Sequence, residues 1–390
     1  MREITDRQRR ARLATRHALA APVASVEQAV EAVTCLHATE APSVYLSVAA
    51  RSDATREDIA AALYTDRSVV KQLAMRRTLF AFPRDLLPHA WGSASARVAQ
   101  QLQARMAKEI EAHGIAKRGD AWLDRLHTTI RAALAEDGPA TTAELRERIP
   151  LLAQRLEVSP GKTYGGSFPI APRVLGTLAA TGSILRGDNQ GDWRTNRPRW
   201  TLTEGWLGSV PEPATPEEGY RELVRRWLHS FGPGTEADLV WWLGATKAAV
   251  RRALADLEAV EVTLAEGVGY LLPDDVDDLP EPEPWAALLP VLDPATMGWK
   301  QRDFYLDPED RPFLFDTNGN GGTTAWWCGR VVGCWVQDPD GAVVVVPRGD
   351  PGADALAALE VEAARLSAWL DGAKVATVYA SPQMKSARLP

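Results

Sequence analysis

Between Arg186 and Trp200 the chain interleaves cations with indoles: Arg186, Arg194, Arg197 and Arg199 alternate with Trp193 and Trp200. Guanidinium groups pair with phosphate oxygens and indole faces stack on bases, so this mixture fits sequence-tolerant contact with nucleic acid. The same stretch also reads as a solubilising hairpin with two packed tryptophans. Further basic positions gather at Arg7, Arg9, Arg10, Arg12 and Arg16, and at Arg76 and Arg77. Affinity for a duplex rests on cations that neutralise phosphates, and the formal charge of −7 argues against it. The distribution argues for it: residues 1–200 hold 29 Lys and Arg against 21 Asp and Glu, whereas residues 201–390 hold 15 against 30. Phosphate contact is therefore expected in the first half.

Other chemistries find little support. Cys35, Cys328 and Cys334 are an odd set without the paired spacing of a zinc site or a disulfide framework, and read as small hydrophobes in a reducing compartment. No HExxH or CxxC occurs, and Gly161-Lys162-Thr163 lacks the upstream glycine of a phosphate-cradling loop, Leu156 standing in its place. No metal and no cofactor are expected. The 390 residues, 45% hydrophobic and 24% charged, suit two to four globular domains. No apolar run reaches the roughly twenty residues of a membrane span, and the charged beginning lacks the apolar core of a signal peptide, so the expected location is the cytoplasm.

The elements that would hold the basic residues form a unit written twice. In the first copy Trp122 to Glu136 has helical spacing, Gly138-Pro139-Ala140-Thr141 breaks and restarts the chain, Thr142 to Arg148 is a short helix, and Ala171 to Gly182 is a third. Ser183 to Thr203 then reads as a hairpin with its tip at Gly187 to Asp192. The second copy runs through Tyr220 to Ser230, Gly232-Pro233-Gly234-Thr235, Glu236 to Leu243, Thr246 to Leu257, and a hairpin from Val260 to Leu272 turning at Gly267 to Gly269. Proline after glycine cannot continue a helix, and Thr141 and Thr235 can accept backbone N–H bonds as N-caps. Three helices closed by a hairpin make a winged helix, and two in tandem point to DNA. In the last helix Val250, Leu254 and Leu257 form an apolar stripe, leaving Lys247 and Arg251 to face phosphate or merely water.

The expected fold is α+β. Residues 1–90 are an N-terminal helical or degenerate winged-helix domain, with Val26 to Cys35, Tyr45 to Arg51, Arg56 to Tyr64 and Ser68 to Met75 as helices. Residues 91–118 are a connecting helix, 119–206 and 207–273 the two winged helices, and 274–286 an acidic, Pro-rich linker. Residues 287–390 alternate short apolar runs with turns and read as an antiparallel, barrel-like domain, closed by a helix, Ala353 to Leu370, and a strand, Val375 to Tyr379. Lys300, Arg302 and Asn318 lie in its loops as candidate DNA contacts.

The stretch CLHATEAPSVYLSVAAR, ending at Arg51, resembles the signature of the AlkZ/YcaQ-type winged-helix DNA glycosylases, in which a Gln-apolar-Gln or Gln-apolar-Asp triplet precedes a proline-containing step and a helix ending in Ala-Arg. RRTLFAFPRDLLP (Arg76 to Pro88), FGPGTEADLVWWLG (Phe231 to Gly244), LLPVLDPATMGWKQRD (Leu288 to Asp303) and GRVVGCW (Gly329 to Trp335) are also similar to this family. The order and spacing of these motifs, more than any one of them, carry the resemblance over nearly the whole chain.

The resemblance implies tandem winged helices with a C-terminal β-barrel around double-stranded, damaged DNA, and hydrolysis of the N-glycosidic bond of alkylated or bulky-adduct purines in repair or genotoxin resistance; a monomer is expected. The triplet here departs from the family: it is His37-Ala38-Thr39. A purine alkylated on its imidazole nitrogen is already a good leaving group, so water placement and stabilisation of a sugar cation remain to be done. A neutral imidazole can take a proton from water and a threonine hydroxyl can orient it, which makes His37 and Thr39 the candidate catalytic pair and Glu40 a third. The alternatives stay open: ordinary hydrogen bonds for His37, a helix cap for Thr39, and, for the whole protein, a non-catalytic DNA-binding sensor of the same fold.

Overall fold

Threonines fix where the helices begin. Thr141 caps the helix Thr142–Arg148 and Thr235 caps Glu236–Leu243, each in a reciprocal pair with the acid three residues on, Glu144 and Asp238. A computed structural model describes residues 1–158 and 165–387; Gly161-Lys162-Thr163 lies outside them. The fold is α+β, and the chain divides into two compact units: residues 1–70, 80–84 and 220–390 form one, residues 71–79 and 85–219 the other.

In the second unit the order expected of the first copy appears: helices Gly119–Asp137, Thr142–Arg148 and Ala171–Ala180, then strands Ile184–Asn189 and Pro198–Leu202, paired antiparallel. Their packed core includes Leu126, Ile130, Leu145, Val174, Leu178 and Trp200. The hairpin tip falls at 190–197, later than expected, because the register shifts between Arg186 and Asn189 and Asn189 still pairs with Pro198. The expected connecting helix spans Ala96–Ala112.

The first unit holds the helices Asp6–Arg16, Val26–Glu31 and Ala41–Ala49 near the chain start, and Glu236–Leu243 and Lys247–Asp256 after residue 220. The hairpin of Val260–Leu264 with Gly267–Leu271 turns two residues earlier than expected, and Arg2–Glu3 adds to it as a parallel edge strand. Ser68 to Met75, expected to be helical, contains the strand Val69–Leu73: Val69 to Gln72 are buried in succession, so both faces are covered and the alternation that marks a half-exposed strand is missing.

At the C-terminal end four antiparallel strands, Ala286–Leu289, Thr324–Trp327, Arg330–Gln337 and Val343–Pro347, lie in that order. The expected barrel is not closed among the described residues, for the first and last of these strands do not pair. The helix Ala353–Leu370 packs against both of them, burying Leu359, Leu366 and Leu370, which supplies the cover that closure would otherwise give. The expected strand Val375 to Tyr379 has no regular structure.

Candidate functional site

Ala41–Ala49 is buried around its whole circumference, all nine residues included, with only Ser43, Tyr45 and Ser47 carrying polar groups. Ahead of it, Leu36–His37 forms a two-residue strand antiparallel to Leu79–Pro83, with His37 opposite Phe80. The triplet thus occupies the step from strand to helix. His37 is 5% exposed, with its ring centroid 4.6 Å from that of Phe80. Ala38 is buried, while Thr39 and Glu40 are half-buried. Thr39 is not the cap of the helix: Glu40 is, and its side chain does not bond the helix start. Glu40 Oε1 instead accepts the Val378 N–H at 2.7 Å.

What anchors this helix was not anticipated. Arg51, just past its end, meets Asp293 in a pair with neither side chain exposed, and Ser47 Oγ donates to the same carboxylate at 2.7 Å. Asp293 Oδ1 also accepts the Ala295 N–H, capping Pro294–Met297. The available signal was that Arg51 and Asp293 both stand in motifs that resemble the family.

The basic residues separate sharply. The N-terminal helix spends its cations internally. Arg9, 3% exposed, bonds Glu266 at 2.8 Å and lies 3.7 Å from the Phe304 ring centroid; Arg12, 1% exposed, bonds Asp275 at 3.0 Å. Arg16 also pairs with Asp275, and Arg7 with Glu281. The acidic linker thus supplies partners for Arg7, Arg12 and Arg16, the hairpin turn supplies Glu266 for Arg9, and Arg9 and Arg12 are not presented to phosphate. Arg302 is likewise withdrawn, 6% exposed and 4.7 Å from the Phe315 ring centroid, its pKa lowered chiefly by burial.

In the hairpin, Arg186 stacks on Trp200 at 4.7 Å, and burial pushes its pKa down to about 10. Trp200 is itself packed, its indole N–H donating to Thr142 Oγ1 at 3.0 Å, so stacking on a base is not open to it. Arg199 pairs with Glu144. The tip keeps its expected character: Arg194 and Arg197 are exposed and Trp193 half-buried, although Arg194 also bonds Asp192 at 2.7 Å. Arg76 and Arg77 sit in a tight turn with φ of 53° and 62°, Arg77 exposed. Lys247, Arg251, Lys300 and Asn318 are exposed, Arg251 engaging Glu236 at 2.6 Å. Lys71, the lysine nearest the triplet in sequence, is buried, and burial first and Arg186 second bring its pKa down to about 8.

Among the described residues no group of three or more His, Cys, Asp or Glu is placed to hold a metal, and no helix is long and apolar enough to cross a membrane. No curated protein sequence matches the chain. A solved structure, Streptomyces sahachiroi DNA glycosylase AlkZ, is similar with a TM-score of 0.75 and 22% identity, over 96% of this chain and 98% of that one. The family model described as DNA glycosylase AlkZ-like matches residues 30–369, a span that includes the triplet, the Arg51–Asp293 pair and the hairpin tip. The chain belongs to the AlkZ-like family of DNA glycosylases.

Proposed function

We propose that this protein is a monofunctional DNA glycosylase that hydrolyses the N-glycosidic bond of alkylated or bulky-adduct purines in double-stranded DNA, acting as a monomer in DNA repair or genotoxin resistance. The observation that carries the reading is the place of the triplet: His37-Ala38-Thr39 stands at a strand-to-helix step, inside the family match, just ahead of a helix fixed by a buried ion pair. A rigid base for the reacting groups is what water placement requires. Thr39, half-buried, orients the water, and His37 accepts its proton, with no metal and no covalent intermediate.

In this reading residues 119–206 and 207–273 are winged-helix domains, 1–90 a degenerate third, 91–118 their connecting helix, 274–286 a linker and 287–390 the C-terminal domain. Duplex contact falls to the exposed cations Arg77, Arg194, Arg197, Lys247, Arg251 and Lys300, with Asn318 beside them and Trp193 for stacking. Incubation with DNA carrying defined alkyl purines, followed by detection of abasic sites, tests the activity. His37→Ala should abolish excision and leave duplex affinity nearly unchanged; equal base release by both proteins removes His37 from the mechanism.

A second reading has one observation in its favour: His37, 5% exposed against Phe80, is set as a packed core histidine is. A DNA-binding sensor without excision follows if neither His37 nor Thr39 reaches water. Absence of abasic sites on every alkylated substrate, with duplex affinity retained, would select it.

A further inference from the structure

Beside the triplet lies a cavity of about 300 Å³, formed by the start of the Ala41–Ala49 helix, the end of the strand Arg330–Gln337 with loop residues Pro290, Val291 and Thr323, and the chain after residue 373. That volume is at the lower end of the roughly 300–1,000 Å³ of small-molecule sites. Pro42, Leu46, Val291, Trp335 and Met384 give it apolar walls. Most of its polar members are already satisfied. Gln337 donates to Gly341 and Ala373 and accepts from Val375, and Thr323 donates to the Trp335 carbonyl.

Two members keep open capacity. Ser43 is 1% exposed, and its Oγ has no hydrogen-bond partner among the described residues. Glu40 is held by one oxygen, Oε1, on the Val378 N–H, while Oε2 is buried without a partner among the described residues. A buried hydroxyl and a buried carboxylate oxygen left unmet each cost free energy, and a ligand that meets both recovers it. The complement of a carboxylate oxygen is an N–H donor; the complement of a hydroxyl proton is an acceptor such as a ring nitrogen. Apolar walls at this size select a molecule about as large as a bicyclic heteroaromatic.

We infer that this cavity binds a free purine base, Glu40 accepting from its amine or ring N–H and Ser43 donating to a ring nitrogen. The inference rests on the glycosylase reading for the origin of that base. When a purine alkylated on its imidazole nitrogen departs, the electron pair of the C1′–N9 bond stays on N9, the cation becomes neutral, and water gives its hydroxide to C1′ and its proton to an acceptor. The departing base thus gains a bare ring nitrogen that the nucleoside lacks. Glu40 follows Thr39 directly, so the cavity begins one residue beyond the reacting groups.

Calorimetric titration of the full chain with 7-methylguanine and with 7-methylguanosine tests this without DNA. The free base should bind and the nucleoside should not compete. Glu40→Gln should weaken binding about tenfold, as loss of a charge-assisted hydrogen bond does, and Ser43→Ala should weaken it less. Leu46→Trp should fill the space and abolish binding; thermal melting of each variant separates this from misfolding. A cavity that takes only water shows as no heat with either compound, which overturns the inference, as does equal binding of base and nucleoside or unchanged binding by Glu40→Gln. Base binding without abasic-site formation leaves the cavity assigned and sinks the glycosylase reading; abasic sites without base binding do the reverse.

Discussion

Arg51 and Asp293, 242 positions apart, meet through two parallel hydrogen bonds of 2.8 and 2.7 Å with neither side chain exposed to solvent. The pair ties the helix after the triplet to the connection between the first two strands of the C-terminal sheet. Removing one partner leaves an uncompensated charge in a dry site, so Arg51→Met alone should cost about 3–5 kcal/mol. The double variant Arg51→Met with Asp293→Leu should lose markedly less. Urea unfolding of the three proteins checks this, and equal losses in single and double variants would deny the coupling.

Arg12 and Arg197 should part company although both are arginines of the basic half. Arg12→Ala breaks a buried pair with Asp275 and should lower the melting temperature while leaving duplex affinity per folded molecule unaltered. Arg197→Ala, at an exposed hairpin tip, should leave stability within about 0.5 kcal/mol.

Salt dependence reads the same contrast quantitatively. Combined replacement of Arg194 and Arg197 by Ala should weaken binding to all duplex sequences alike and reduce the slope of log affinity against log salt by about one for each phosphate that is no longer neutralised. A slope identical to that of the native protein would take the tip off the DNA.

Acid should weaken the second unit through His127. Its ring is buried, bonds Thr177 Oγ1 at 2.9 Å, and has its pKa lowered from 6.5 to about 4, by burial first, with the charge of Asp124 opposing. A folded-state pKa below the unfolded one means that the unfolded chain binds the extra proton. The contribution is therefore whole above pH 6.5 and lost as pH falls from 6.5 towards 4, reaching about 3 kcal/mol at most. His127→Gln should flatten stability between pH 7 and pH 5; an unchanged slope would place the acid sensitivity elsewhere.

The legible part of the sequence was local. Thr141 and Thr235 announced their helices because a cap is a matter of three or four neighbouring residues, and Ala353–Leu370 fell where its spacing put it. What depended on distant partners was harder to read. Arg9 and Arg12 looked like a phosphate-binding face because Glu266 and Asp275 lie more than 250 positions away, and charge sums along a chain carry no information about which charges meet. The strand Val69–Leu73 was missed for a related reason, since burial on both faces erases the alternation that a single covered face imposes. At the candidate site the family motifs gave the position of His37 and Glu40, but not the packing of one on Phe80 or the cavity beside the other.

Because one unit is assembled from residues 1–70, 80–84 and 220–390, its opening seventy residues leave the ribosome long before most of their partners exist. At roughly 5–20 residues per second, the wait for residue 220 onward is on the order of ten seconds. Arg9, Arg12 and Arg51 lack Glu266, Asp275 and Asp293 throughout that interval, and at its end residues 85–219 have all been made. The order of synthesis thus favours the inserted unit maturing first, and makes the helix that follows the candidate chemistry among the last parts of the molecule to become fixed.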